Sequence, residues 1–403
     1  LINGGRVDLS AFGGYGNFRH MKIQSTRAPV PFFSQRATFE ALWPRIADGL
    51  DEVLDGGKFS HGRAVAALEA DLAAWTGARH VIGVNSGTDA LVLLLRAAGL
   101  RPGDEVVVPA FSFVASASAV VLAGGRPRFA DIDPETYALD PAAASAAVTG
   151  RTRMLMPVHL FSRMADMDAL GAVAGAHDLR IVEDSAEAIG MRHRGTHAGL
   201  LGAGGVLSFF PSKTLGAIGD AGAVLTDDPY IAETVAALRH HGRPGPSLHN
   251  FPAIATASAL PGTNSKMDDL QAEVLRAKLG RLDADIARRA ALAEAYTARL
   301  TGAPGIRKVP TGSVFYVYLI EADDRDGLAA HLAARGIGTE VYYPRPLHLQ
   351  PCFADLGHRA GDFPHAEAAC ARTLALPLYP DLADGDVGVV CDAIDDFYRG
   401  GNR

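Results

Sequence analysis

The sequence predicts an α/β protein: a large domain around a mostly parallel seven-stranded sheet, then a smaller C-terminal α+β domain. Three observations predict it. From Arg79 to Thr226, short β-branched runs alternate with helix-period stretches, the pattern of βαβ crossovers and a sheet buried on both faces. From about Pro304 the alternation changes character. Finally, 403 residues are more than one ordinary hydrophobic core organises.

The elements follow in order. Residues 1–29, Gly-rich at Gly13, Gly14 and Gly16 and without a period, read as a leader, some of it of cloning origin, and are set apart from the fold. A helix over Phe39–Leu54 follows from the spacing of Phe39, Leu42, Ile46, Leu50 and Val53, and Gly56 and Gly57 stop it. A second helix, Ala64–Thr76, ends before Gly77. Strands are expected at His80–Val84, Glu105–Pro109, Pro127–Ile132, Met154–Leu160, Arg180–Glu183, Val206–Phe210 and Ala223–Thr226. Helices fall between them at Thr88–Ala98, Val114–Leu122, Pro141–Val148 and Met164–His177. After a helix at Ile231–His241, the aperiodic stretch Gly242–Gly262 reads as a long functional loop. One long helical segment then spans Met267–Leu300. The domains so read are 30–262, large, and 263–403, comprising the long helix and the small domain.

Composition narrows the function. The net charge of −7 removes a global basic footprint for nucleic acid or an anionic membrane. No apolar run is long enough to span a bilayer. Cys352, Cys370 and Cys391 form neither a CxxC nor a Cys/His cluster, so a disulfide framework and a zinc site are not expected, and the cytoplasm is the expected compartment.

Ligands of parallel sheets sit at the carboxyl ends of strands, so the chemistry is sought there. Lys213 follows the strand Val206–Phe210 and precedes Gly216, Gly219 and Gly222. Partial desolvation there is expected to lower its pKa and free its amine for Schiff-base chemistry, although alone it reads equally as a solvated loop lysine. Glu183 and Asp184 end an apolar strand, where carboxylates need partners. Asp184 suits a pyridinium nitrogen, while metal binding and helix capping stay open for the pair. The turn Asn85–Ala90 enters a helix and offers N–H groups to a phosphate, or merely a cap. Phe113 lies in another strand-to-helix turn, over a planar cofactor or in the core. Gly199–Gly205 imitates a dinucleotide fingerprint but precedes a strand, the wrong context. Together, in this order, these residues fit a pyridoxal phosphate site.

At these residues the chain resembles the DegT/DnrJ/EryC1/StrS family of sugar aminotransferases, of aspartate aminotransferase fold type I, from about Val30 to Tyr398. The resemblance is carried by Ser86–Leu91, Pro157–Leu160 with Ala165–Asp168, Glu183–Ala188, Ser208–Val224, Gly262–Ala272, Tyr343–His348 and Leu376–Pro380. It implies Lys213 as the Schiff-base lysine and Asp184 as the acid at the pyridine nitrogen. Glu187 would lie near the ring's 3-hydroxyl, Phe113 would stack on the ring, and Gly87, Thr88 and Ser208 would hold the phosphate. Asn264 would reach the neighbouring subunit's phosphate, making a homodimer with shared sites. Ser162, Arg163, Lys266 and the loop Arg243–Pro261 depart from the family pattern, and Arg243, Lys266 and Arg345 are expected near the site mouth. The implied activity moves an amino group from glutamate or glutamine to a keto group, at C3 or C4, of a nucleotide-linked sugar in antibiotic or surface-glycan biosynthesis. A keto-cyclitol aminotransferase is the rival enzyme, and a pyridoxal phosphate-binding regulatory module the rival from another class. Neither nucleic acid nor membrane is an expected partner.

Overall fold

The computed structural model describes residues 28–243 and 257–400. The leader read at 1–29 lies outside them but for its last two residues, as does most of the loop read at Gly242–Gly262.

Helices α1 (Arg36–Gly56) and α2 (Arg63–Thr76) end as the sequence predicts, on left-handed glycines Gly57 (φ 63°) and Gly77 (φ 87°). The alternating region follows as β1 (His80–Val84), α3 (Gly87–Ala97), β2 (Glu105–Pro109), α4 (Val114–Leu122), β3 (Arg126–Ala130) and α5 (Pro141–Ala147). It continues with β4 (Thr152–Leu155), α6 (Met167–His177), β5 (Arg180–Asp184), the hairpin β6 (Arg192–His193) and β7 (Thr196–His197), β8 (Gly204–Ser208), β9 (Gly222–Thr226) and α7 (Pro229–Leu238). The seven-stranded sheet has the order β1-β9-β8-β5-β4-β2-β3. Pairs β2/β3, β2/β4, β4/β5 and β5/β8 are parallel, whereas β9 runs antiparallel to both β1 and β8. No crossover helix separates β8 from β9, so the chain turns straight back, and that turn carries Lys213.

Boundaries shift where caps decide. The Asp166 carboxylate accepts from Ala169 N, so α6 starts at Met167 and not at Met164. Asp228 caps α7, which starts at Pro229, two residues before the predicted start. The predicted strand Met154–Leu160 leaves its ladder after Leu155 and runs on towards the site, where Val158 bridges Asp184. The hairpin, too short for a periodic signal, turns on Arg194 (φ 50°) and Gly195 (φ 87°).

The long helix of 267–300 is two helices, α8 (Asp269–Leu279) and α9 (Leu282–Leu300), parted at Gly280. A Cβ at Gly280 would lie 3.0 Å from the Arg45 guanidinium. The break lets α8 pack with α1 and α2 on the large core, through Val274 and Ala277 against Ile46 and Leu275 among the α2 leucines. Helix α9 turns instead to the small domain. There β10 (Ile306–Lys308), β11 (Tyr318–Ala322) and β12 (Thr373–Leu376) form an antiparallel sheet with α10 (Arg325–Ala334), α11 (Pro364–Arg372) and α12 (Asp384–Gly400). Its core stacks Tyr296 on Tyr318, centroids 4.8 Å apart, and includes Val30 from the start of the described chain.

Candidate active site

Alternation along β5 sends its two terminal carboxylates to opposite sides. Glu183, fully buried, accepts from Gly199 N (2.8 Å), Leu201 N (2.6 Å), Gly202 N (2.8 Å) and His159 Nε2 (2.9 Å). Ala165 N donates to His159 Nδ1, so the proton on that ring sits at Nε2. Glu183 is thus a structural anchor, and the Gly199–Gly205 segment is what it anchors. Among the described residues no cluster of three or more His, Cys, Asp or Glu side chains could hold a metal ion.

Asp184 faces the other way. Its Oδ2 accepts from Ser116 Oγ of α4 (2.7 Å), whose oxygen lies 2.8 Å from Ser112 Oγ, and its Oδ1 accepts from Ala186 N (3.3 Å). Burial pushes the Asp184 carboxyl up, against the hydrogen bonds of Ser116 and Ala186 and the charge of Lys213.

Lys213 sits in the β8–β9 turn, its N–H donating to Phe210 O (2.8 Å). The turn is tight at Gly216, where a Cβ would lie 2.3 Å from Pro211 O. Lys213 Nζ meets Glu187 Oε1 at 3.1 Å and lies 4.2 Å from the centroid of the Tyr316 ring. The expected lowering of its pKa does not hold. Burial does push it down, but Glu187 above all, with Tyr316 and Asp184, more than offsets this, and the amine stands above its ordinary value. Glu187 is itself fixed by Phe161 N (3.1 Å) and the Tyr343 hydroxyl (3.3 Å).

The third component is the start of α3. Ser86 caps it, accepting from Asp89 N at 3.1 Å, and Gly87 and Thr88 follow. Close packing brings this turn onto Ser208 and Gly222: a Cβ on Gly87 would lie 2.8 Å from that of Ser208, and one on Gly222 would lie 2.5 Å from Ser86 C. Gly87, Thr88, Ser208, Lys213, Asp184, Glu187 and Phe113 all line one cleft of about 530 Å3. Phe113 is 56% exposed there, which removes its reading as a core residue, whereas Phe111 two residues earlier is fully buried.

Asn264 does not line this cleft. It is exposed, bridged to His240, and its Oδ1 accepts from Lys266. Arg243 lines a different cleft, Arg345 is exposed outside this one, and Ser162 and Arg163 bind Thr311 (2.9 and 2.6 Å) on a third surface. None of these cationic or departing residues faces the Lys213 cleft of its own chain. Sequence reasoning passed over Ser116, Ser212, Tyr316 and Tyr342, which the fold brings in from α4, the lysine loop and the small domain. Tyr343 lay inside a recognised segment and was given no role.

The residues present fit pyridoxal phosphate. The cleft joins a buried carboxylate, an amine and a helix N-terminus flanked by hydroxyls, with an exposed aromatic between α3 and α4. The close approach of Gly87 to Ser208 leaves backbone N–H groups and hydroxyls at the end where a phosphate would be held.

Comparison with known proteins agrees. The sequence profile of the DegT/DnrJ/EryC1/StrS aminotransferase family matches residues 43–395. A pleiotropic regulatory protein of Geobacillus stearothermophilus is 42% identical over 92% of this chain and 99% of its own. The dTDP-3-amino-3,4,6-trideoxy-alpha-D-glucose transaminase of Streptomyces venezuelae is 40% identical over 93% of this chain and 97% of its own. The crystal structure of S. venezuelae DesV superposes with a TM-score of 0.87 at 39% identity, covering 92% of this chain and 99% of that one.

Proposed function

The chain belongs to the DegT/DnrJ/EryC1/StrS aminotransferase family and is a pyridoxal phosphate-dependent aminotransferase. From that premise we propose that it moves an amino group from glutamate or glutamine to the keto carbon of a nucleotide-linked deoxyhexose, at C3 or C4. The observation that carries the chemistry is the convergence of Lys213, Asp184 and the α3 N-terminus on one cleft. The substrate class rests on relatives such as the dTDP-sugar transaminase. The regulatory name of one relative does not favour the rival module, because here Lys213, Asp184 and the α3 N-terminus share one cleft. The cytoplasm is the compartment we assign, on three unpaired cysteines.

When bound, pyridoxal phosphate supplies a ring that takes up the electron pair left as the donor's Cα–H bond breaks. The protein does the rest. Gly87, Thr88 and Ser208 would hold the phosphate, with the α3 N-terminus favouring its charge. Asp184 would hold a proton at the ring nitrogen, its carboxylate oriented by Ser116. Lys213 Nζ would carry the cofactor in the resting enzyme and, once displaced by the donor amine, move the proton from Cα. Glu187 keeps Nζ directed into the cleft, and Phe113 covers the open face.

The test is a half-reaction. Borohydride should fix the cofactor covalently on Lys213. In enzyme not treated with borohydride, glutamate should abolish the visible absorption band, and a keto-sugar nucleotide should restore it far better than the free keto-sugar. Lys213→Ala should lose at least about a thousandfold in turnover. Label on Lys58 or Lys266 would overturn the lysine assignment, and better turnover of an unactivated keto-cyclitol would replace the substrate.

A further inference from the structure

Lys213 is held from two domains. Glu187, in the turn after β5, meets its Nζ at 3.1 Å. Tyr316 meets it from the small domain, two residues before β11, and is itself buried. The centroid of its ring lies 4.2 Å from Nζ. Transamination as derived from Lys213, Asp184 and Glu187 gives this ring no task.

Every polar group of Tyr316 helps to fix where the ring stands. Its hydroxyl lies 3.2 Å from Ser212 Oγ, on the residue before the lysine, and 3.3 Å from the Tyr342 hydroxyl. Its N–H donates to Phe161 O (2.7 Å), and Phe161 N donates to Glu187 Oε2 (3.1 Å). A circuit therefore closes, from Lys213 through Glu187, Phe161 and Tyr316 back to Lys213. The Tyr316 carbonyl accepts from Arg289 Nη1 of α9 (3.0 Å), which also donates to Leu378 O (2.7 Å).

Arg289 is 2% exposed, is in no ion pair among the described residues, and has an Nε buried without a hydrogen-bond partner. Burial pushes it down to about 10. A guanidinium buried without a carboxylate costs stability, and what it secures here is the place of Tyr316 O and Leu378 O.

The chemistry of the ring suits an ammonium. An aromatic face carries partial negative charge and attracts a cation, more strongly where water is excluded. The remaining charged groups around Nζ are acids. Asp184 adds its charge, while Asp220 and Glu340, both exposed, line the same cleft. Tyr343 donates to Glu187 Oε1, the oxygen that Nζ also meets. Lys213 is the one lysine or arginine of the lining.

We propose that Tyr316 is a positioning residue for Lys213: when the lysine is free of cofactor, its ammonium rests between the Tyr316 ring and Glu187, and Arg289 keeps the ring in place. The amine then stays in the cleft, where the proton is moved, instead of swinging out to water. The proposal rests on the transamination reading in one respect, that Lys213 is the reacting amine.

Competitive acetylation of the full chain, stripped of cofactor, tests it. Trace acetic anhydride is applied over a range of pH, and peptide mass spectrometry reads the rate at Lys213 against Lys58, which lies outside the cleft. Only the neutral amine reacts. Tyr316→Leu is apolar but has no aromatic face, so the midpoint of the profile should move to lower pH. Well below that midpoint Lys213 should label about threefold or more faster than in wild type. Pentafluorophenylalanine at the same position keeps a ring but reverses its face, and should act likewise. Tyr316→Phe should keep the wild-type midpoint. Arg289→Met should move it in the same direction as Tyr316→Leu.

A packing role alone would change access, which alters the plateau of the profile and leaves its midpoint in place. A midpoint that neither Tyr316→Leu nor the fluorinated ring moves therefore overturns the proposal. If one of these two variants fails to fold, the other decides. A midpoint unmoved in folded Arg289→Met overturns the part given to Arg289. Should the midpoint move while glutamate leaves the visible band of the holoenzyme untouched, the seat on Tyr316 stands and the transamination reading falls.

Discussion

Asp184 ends β5 at the carboxyl edge of the sheet and Lys213 lies in the turn that follows β8, positions the order of the chain reveals by itself. Ser116 was not legible, because its role depends on a single long-range hydrogen bond from α4 to the end of β5, which no local pattern encodes. Its hydrogen bond opposes the burial that pushes Asp184 up. Removing it in Ser116→Ala therefore raises the carboxyl further. A carboxylate with a raised pKa loses its charge earlier as pH falls. The acid limb of the pH–rate profile should accordingly move to higher pH, with cofactor still bound. An unmoved limb would mean that Ser116 does not tune Asp184. The pKa of Lys213 went the other way from expectation for a related reason: burial was foreseeable from its strand, but the carboxylate that meets it lies 26 residues earlier, on another element.

Glycine stops and alternation made most helices and strands legible. The antiparallel course of β9 and the break at Gly280 were not, since both answer to tertiary contacts. That break leaves Lys278 near the end of α8, 3% exposed, donating to Gln35 Oε1 (2.7 Å) and to Gly216 O. Gln35 in turn donates to Pro211 O (2.6 Å), so α8 and the segment before α1 together grip both sides of Lys213. Burial pushes Lys278 down to about 7. In the unfolded chain it titrates near about 10.4. Below pH 7 it is charged in both states and its burial cost is full. As pH rises from 7 towards 10 the folded state releases the proton that the unfolded state keeps, so stability rises, by at most about 1.4 kcal/mol per pH unit. In urea unfolding, wild type should gain about 2 kcal/mol on Lys278→Met between pH 7 and pH 9. A constant difference would contradict the buried charge. The grip on the lysine loop should also loosen, seen as faster loss of cofactor from the variant on dialysis.

At the scale of the molecule, composition told only what to exclude, and neither the sequence nor the single chain identifies the sugar, because the departing residues Ser162, Arg163 and Lys266 do not face the cleft within one chain. Asn264 raises the same question most sharply. It belongs to the segment recognised in the sequence, yet it is exposed outside its own cleft, while Ser265 beside it is fastened to Asn85 (3.0 Å) and Asp89 (2.6 Å). A polar residue so firmly carried to the surface suits delivery into a second copy, and we propose a homodimer in which each site borrows the other chain's Asn264. Phe59, Phe210 and Ile218, about half exposed, would find cover in an interface of that kind, which for obligate pairs exceeds about 2,000 Å2. Complementation tests it. Lys213→Ala and Asn264→Ala homodimers should each be nearly inactive. In a mixed dimer one site carries both defects and the other carries neither, so equal mixing, with half the dimers mixed, should restore about a quarter of wild-type activity. Sedimentation should show dimers throughout, and exchange can be followed with differently tagged chains. If exchange is complete and activity stays at the level of the parents, or if the active species sediments as a monomer, the site is built from one chain and Asn264 has no part in its neighbour's chemistry.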